Sequence, residues 1–175
     1  KQEDRGSHPV LRLRPASPEW TVTDLGRGRF TGPVDSAVLQ RGDGTFAYNL
    51  AVVVDDIAMG VDQVVRGDDL LSSSPIQAYL TRELGGTEPM YAHVPLVLGP
   101  TGKRLAKRDG AVTLRELTRN GLDSGDVMQI LSGSLGMKPV RSTSEFLSSF
   151  DPGKMNGDPW VFTPPNIKTT QVLGE

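Results

Sequence analysis

Hydrophobic positions along this chain recur at two spacings, and the change from one to the other marks out its elements. Leu50, Val53, Val54 and Ile57 fall at i, i+3, i+4 and i+7, one face of a helix, in a stretch whose valines would favour a strand by propensity alone. The spacing predicts a helix over Asn49 to Gly60, with Gly60 able to end it in the left-handed conformation. A second helix is expected where Ile76, Tyr79, Leu80 and Leu84 share a face; Ser74 can cap it, Pro75 suits its first turn and Gly85 can stop it. Val10 to Leu13 alternates as a strand, Val61 to Arg66 reads as a short β segment, and Tyr91 to Leu98 reads as a buried strand. Val38 to Arg41 and Thr45 to Tyr48 flank Gly42-Asp43-Gly44, a hairpin signal because Gly and Asp tolerate the positive φ of a tight turn.

Beyond Gly110 the character changes. Thr113 with Glu116 and Ser142 with Glu145 make capping boxes, and Asp123 before Asp126 is a weaker N-terminal signal. Each opens a short helical pattern, and these end near Gly121, Asp151-Pro152 and Gly136 respectively. The expected organisation is therefore a mixed α/β part over residues 9–110, a small helical part over 111–162 and a tail over 163–175. There is no internal repeat or heptad pattern.

Composition narrows the class. At 175 residues, 37% hydrophobic and 23% charged, the chain holds one domain's worth of core with a small appendage, which excludes disordered and fibrous proteins. Its longest apolar runs, such as Leu50 to Val54, fall far short of the roughly 20 residues of a spanning helix, and no charged-then-apolar leader opens it. An untargeted cytoplasmic protein with no membrane partner, acting as a monomer, is the expectation. The absence of cysteine removes disulfides, a thiolate nucleophile and a Cys-based zinc site from this segment. Nineteen basic against 21 acidic residues leave a net charge of −2, so any site for a polyanion is local. Twenty glycines and 13 prolines point to functional groups carried on loops.

Two histidines, His8 and His93, are too few for a metal cluster, and no Ser-His-Asp set can be assembled. His93 sits inside an apolar strand and reads as structural. Asp55-Asp56 and Asp68-Asp69 could hold a cation, but adjacent carboxylates on a short segment more often form caps and surface bridges. The densest basic run is Lys103-Arg104-Leu105-Ala106-Lys107-Arg108-Asp109-Gly110, delivered by the Gly99-Pro100-Thr101-Gly102 turn. It could hold triphosphate oxygens or be a solvated charge run, and spacing alone leaves both open.

Three ordered blocks carry a resemblance: Phe46-Ala47-Tyr48-Asn49-Leu50-Ala51-Val52-Val53-Val54-Asp55-Asp56, then Val64-Val65-Arg66-Gly67-Asp68-Asp69-Leu70-Leu71, then Pro95-Leu96-Val97-Leu98 leading into the basic run. Over about Pro9 to Phe162 the chain resembles glutamyl-tRNA synthetases and their short paralogue family, the glutamyl-Q tRNA(Asp) synthetases. Leu11-Arg12-Leu13-Arg14, and Ala47 and Leu50 where ordinary enzymes more often place Thr and Phe, are similar to the paralogue. The resemblance implies an α/β fold, part of a Rossmann-type class I catalytic domain followed by a small helical region. It implies activation of glutamate by ATP with magnesium, and transfer to the queuosine base of tRNA(Asp).

By position, Tyr48 and Arg66 match the family's glutamate-binding residues, and an arginine fork can pair with a carboxylate. Arg104-Leu105-Ala106-Lys107-Arg108 matches the family's KMSKS-type loop, so the resemblance makes Arg104 and Lys107 the ATP-binding residues and Lys107 the catalytic one, opposite the charge developing on pyrophosphate. Arg104 keeps the charge of the usual first lysine, whereas Ala106 loses the usual serine hydroxyl. The family's His-Ile-Gly-His-like motif, its other glutamate contacts and its zinc-binding cysteines belong to an N-terminal half that these residues do not include. The chain is thus expected to be the C-terminal half, inactive alone, with zinc possible only in the other half and no metal bound here. A truncated ordinary glutamyl-tRNA synthetase and a non-catalytic RNA-binding module are the rival readings.

Overall fold

The structure of the chain, a computed structural model, describes residues 9–105 and 113–163. They fall into two compact units that divide between Val94 and Pro95. The expected change of character at Gly110 lies outside the described residues. Among the described residues no helix is long and apolar enough to cross a membrane.

The first unit is built on a four-stranded sheet. Strands β2 (Glu19–Asp24) and β3 (Gly28–Pro33) form an antiparallel hairpin, and β5 (Gln63–Gly67) and β6 (Met90–Val94) add in parallel, giving the order β3-β2-β6-β5. A separate pair, β1 (Leu11–Arg12) with β4 (Val38–Gln40), runs antiparallel. The hairpin expected between Val38 and Tyr48 is short, a Gln40 to Phe46 bridge flanked by bonds from the Arg41 N–H to the Thr45 carbonyl and from the Ala47 N–H to the Leu39 carbonyl, because its second arm turns into α1 at Tyr48.

Helix α1 (Tyr48–Met59) forms despite its valines and ends where Gly60 turns left-handed at φ 68° and returns its N–H to the last turn; its inward side is Val53 with the half-buried Asn49, Val52 and Asp56, whereas Val54 and Ile57 of the expected face are exposed. Helix α2 (Ser74–Glu83) is buried over eight consecutive residues, Ser74 to Thr81. Ile76, Tyr79 and Leu80 join Leu13, Val34 and Val53 in one cluster, and Ala78 joins Val22 and Tyr91 in another, so both sides of the helix are covered. Ser74 was expected to cap α2; instead it is the first helical residue, Ser73 holds the cap position without a side-chain bond, and the Ser74 hydroxyl serves another partner.

In the second unit the strand expected from Tyr91 to Leu98 resumes, after a break at Pro95-Leu96, as β7 (Val97–Leu98), paired in parallel with β8 (Trp160–Val161). Helices α3 (Leu114–Arg119), α4 (Ser124–Ser134) and α5 (Thr143–Ser149) start at the three expected residues, Thr113, Asp123 and Ser142, each with a complete capping box.

Candidate functional site

Three polar side chains meet near the carboxyl ends of β2, β6 and β5. Arg66 pairs with His93 in the β5–β6 ladder, and Asp24 is the last residue of β2. Open α/β sheets bind ligands at this end of their strands. Asp24 and His93 have no exposed side-chain surface, and His93 Nδ1 lies 2.6 Å from Asp24 Oδ2. Asp24 Oδ2 also accepts the backbone N–H of His93 at 3.0 Å, while Oδ1 accepts those of Gly26 at 2.9 Å and Arg27 at 2.7 Å. Burial alone would raise the pKa of Asp24, but the bond from His93 and these backbone N–H groups outweigh it and hold the carboxyl below its ordinary value.

Arg66 is the hub. Its Nε donates to His93 Nε2 at 3.0 Å, Nη1 to Gln77 Oε1 at 2.6 Å, and Nη2 to the Leu70 carbonyl at 3.1 Å and Ser74 Oγ at 2.7 Å. Gln77 Nε2 then donates to Asn49 Oδ1 at 3.0 Å, tying the network to the first turn of α1. The guanidinium also sits 5.5 Å from the centroid of the Tyr91 ring, which stacks on His93 at 5.9 Å. Burial pushes the Tyr91 hydroxyl up to about 12, so this ring stays neutral.

All four of these acceptors are neutral. Among the described residues no carboxylate touches Arg66, and burial lowers its pKa below the ordinary arginine value, with the carboxylates of Asp56 and Asp69 opposing that shift. An arginine remains protonated even so. The result is a partly buried cation, rigidly held, whose counter-charge is not in contact. Such a cation favours an incoming anion. Four of its five N–H groups are committed, leaving one on Nη1; a carboxylate is met end-on rather than by the full fork expected from sequence.

Tyr48 is the first residue of α1 and is exposed, and its neighbour Asn49 is joined to Arg66 through Gln77. A cavity of about 410 Å³ opens beside Gln77 and Tyr91 and is also walled by Val53, Asp56, Thr81 and Glu88. Asp68 forms a surface bridge to Arg27 at 2.9 Å, in keeping with the structural reading of that acid pair.

In the second unit, Gly99 to Gly102 turns the chain back on itself. The Gly99 N–H donates to the Lys103 carbonyl and the Leu105 N–H to the Val97 carbonyl, so Arg104 registers opposite Leu98 with its surface exposed. Lys107 and Ala106 lie outside the described residues. Among the described residues no group of three or more His, Cys, Asp or Glu gathers to hold a metal ion.

A family model described as the catalytic domain of the class I tRNA synthetases (E and Q) matches residues 1–156. The chain belongs to this synthetase family. The chain is 55% identical over 159 residues to a glutamyl-Q tRNA(Asp) synthetase of Nocardia farcinica, covering 91% of the chain and 51% of that protein. It is 40% identical over 166 residues to glutamate–tRNA ligase 1 of Alkalilimnicola ehrlichii, covering 91% of the chain and 35% of that protein. Among solved structures, the glutamate-tRNA synthetase of Elizabethkingia anophelis superimposes with a TM-score of 0.72 at 26% identity, over 89% of this chain and 37% of that one. The chain therefore spans about half the length of the Nocardia relative it matches. Its α/β fold with a parallel sheet core is the class I synthetase fold that the motif blocks imply.

Within this synthetase domain, Asp24, Asn49, Ser74, Gln77 and His93 were not singled out as site residues from sequence. The available signal was positional: Ser74, Gln77 and Thr81 put polar groups on a buried helix, and Asp24 occupies the inward phase shared by Trp20 and Val22.

Proposed function

We propose that the protein carrying this chain activates glutamate with ATP and transfers the glutamyl group to the queuosine base of tRNA(Asp). The observation that supports this most is Arg66, a partly buried cation whose contacts are all neutral acceptors. A carboxylate is the ligand such a group discriminates best. Activation requires one oxygen of the α-carboxylate to attack the α-phosphorus of ATP while the bond to pyrophosphate breaks. A cation clamped on that oxygen would blunt its attack, so Arg66 suits the side-chain carboxylate, with the Tyr48 hydroxyl adding a directional hydrogen bond. Arg104 and Lys107 on the basic run would meet the phosphates, where Lys107 stabilises the charge that grows on departing pyrophosphate. Magnesium accompanies nucleotide phosphates with few protein ligands of its own, so it requires no dedicated cage in these residues.

The 55% identity to a glutamyl-Q tRNA(Asp) synthetase, against 40% to a glutamate–tRNA ligase, favours the queuosine acceptor. The test is glutamate-dependent exchange of pyrophosphate into ATP, with and without tRNA, on the longest chain the gene encodes. Exchange without tRNA is the expected result. Exchange only with tRNA would transfer the reading to an ordinary glutamyl-tRNA synthetase, and silence in both would leave a non-catalytic RNA-binding module.

A further inference from the structure

We propose that Asp24 and His93 are positioning residues that set the rotation of the Arg66 guanidinium for its substrate carboxylate, an inference that rests on Arg66 binding glutamate. Asp24 anchors this set of contacts. Its two oxygens accept four N–H groups, from Gly26, Arg27, the His93 backbone and the His93 ring, and its side chain is wholly buried, so it has no freedom to rotate. The arginine Nε carries a hydrogen and no lone pair, so His93 Nε2, 3.0 Å away, must present its lone pair. The ring proton then resides on Nδ1, where Asp24 takes it at 2.6 Å. Asp24 in this way selects the one tautomer of His93 able to hold Arg66.

The hold is directional. The Nε bond fixes the guanidinium plane, Gln77, Leu70 and Ser74 fix its two ends, and the single uncommitted N–H on Nη1 is left for a ligand. Choosing a neutral imidazole for this contact also keeps the cation's charge available. A carboxylate at the His93 position would pair with Arg66 directly and compete with the substrate; placing Asp24 one ring further back supplies orientation without that competition. The Ser74 hydroxyl, 3.3 Å from His93 Nε2 and 2.7 Å from Arg66 Nη2, braces the same corner.

The experiment separates positioning from packing by using two replacements of similar size in the full-length enzyme. In His93→Gln the carboxamide reaches the place of Nε2 and can accept from Arg66; in His93→Asn it reaches only the place of Nδ1. The KM for glutamate in pyrophosphate exchange is expected to rise about tenfold or more in His93→Asn, with the KM for ATP unchanged, and His93→Gln is expected to recover most of that loss. Equal KM values in the two variants, at wild-type level or equally raised, would overturn the proposal in favour of a packing role. Should either variant fail to fold, ¹⁵N spectroscopy of the wild-type imidazole decides: a pyrrole-like Nδ1 with a pyridine-like Nε2 supports the proposal, and the reverse overturns it. Arg66→Ala is the separating control. A glutamate KM unchanged in that variant would remove the glutamate reading and this inference with it, whereas a raised KM beside an unaffected His93→Asn would remove the inference alone.

Discussion

Arg66 and Arg141 each gather several acceptors, yet they answer opposite needs. Arg141, half exposed, reaches Asp126 at 2.7 Å, both oxygens of Asp123 at 2.8 and 2.9 Å, and Gln129 at 3.2 Å, lying against Gly125 at the start of α4. The hydrogen bond to Asp126 and the charge of Asp123 raise its pKa above the ordinary value. Arg66, partly buried, has four neutral partners and a pKa lowered by burial. A cation already neutralised by two carboxylates has little left to offer a ligand, so Arg141 tethers the segment before α5 to the first turn of α4. A cation oriented by neutral groups retains its charge for something that arrives later. The number of hydrogen bonds does not separate the two cases; the charge of the acceptors does.

The contrast is most sharply tested at the far end of the buried network. Asp24→Asn swaps one oxygen for an NH2 group at a carboxyl where four N–H groups converge, so either orientation of the amide turns N–H onto N–H. The expected cost is about 3–5 kcal/mol at neutral pH, the scale for breaking a buried ionic network. Linkage gives a second reading. The Asp24 carboxyl is held below its ordinary pKa in the fold, so its contribution is fully present above the unfolded value near 3.9 and is lost as pH falls through the lower folded value. Denaturant unfolding followed from pH 7 into the acid range is therefore expected to show the wild type losing stability below about pH 4, with that component missing from Asp24→Asn. The exposed carboxylates whose pKa values are also lowered, such as Asp126 and Glu145, are common to both proteins and cancel in the difference. Parallel acid profiles would mean that Asp24 carries no special share.

Next in size is Arg66→Lys, which keeps the charge and removes the geometry. Lysine has three donors on one nitrogen and cannot span His93, Gln77, Leu70 and Ser74. The glutamate KM is expected to rise roughly 10- to 100-fold, the equivalent of one charge-assisted hydrogen bond, while the protein stays folded at neutral pH. A lysine variant with a wild-type KM would show that charge alone suffices, and the neutral scaffold around Arg66 would then be packing.

This division also explains what the sequence made legible. Local rules were enough for the existence of α1, though not for which side it buries, since Val54 and Ile57 of the expected face are exposed, and for the helix starts at Thr113, Asp123 and Ser142, because a capping box is written within four residues. Arg66 and Tyr48 were singled out through motif blocks, and of the two it is Arg66 that sits at the centre of a hydrogen-bonded network. The surrounding network was not reachable. It joins positions 24, 66, 74, 77 and 93, and its bonds depend on β2 lying beside β6, on the strand register Arg66 to His93 and on how α2 enters after β5, none of which a local pattern encodes. Ser74 illustrates the difficulty: as a serine before a proline it has the form of a cap, and only the fold shows its hydroxyl given to Arg66 instead. His93 was correctly placed in an apolar strand, but the same burial that makes it look structural is what lets it orient a neighbour.

The smallest effect is expected at Arg141. In Arg141→Ala, Asp123 and Asp126 lose their shared cation but keep their capping bonds to each other's backbone N–H, and both remain in water. Thermal unfolding should show a modest drop in midpoint at low ionic strength that shrinks as salt is added, since the wild type is the protein whose ion pairs are screened. The glutamate KM should not move. A salt-insensitive loss would mean that Arg141 acts through its packing over Gly125 rather than through charge, and a shift in glutamate KM would erase the distinction between a neutralised arginine and a waiting one.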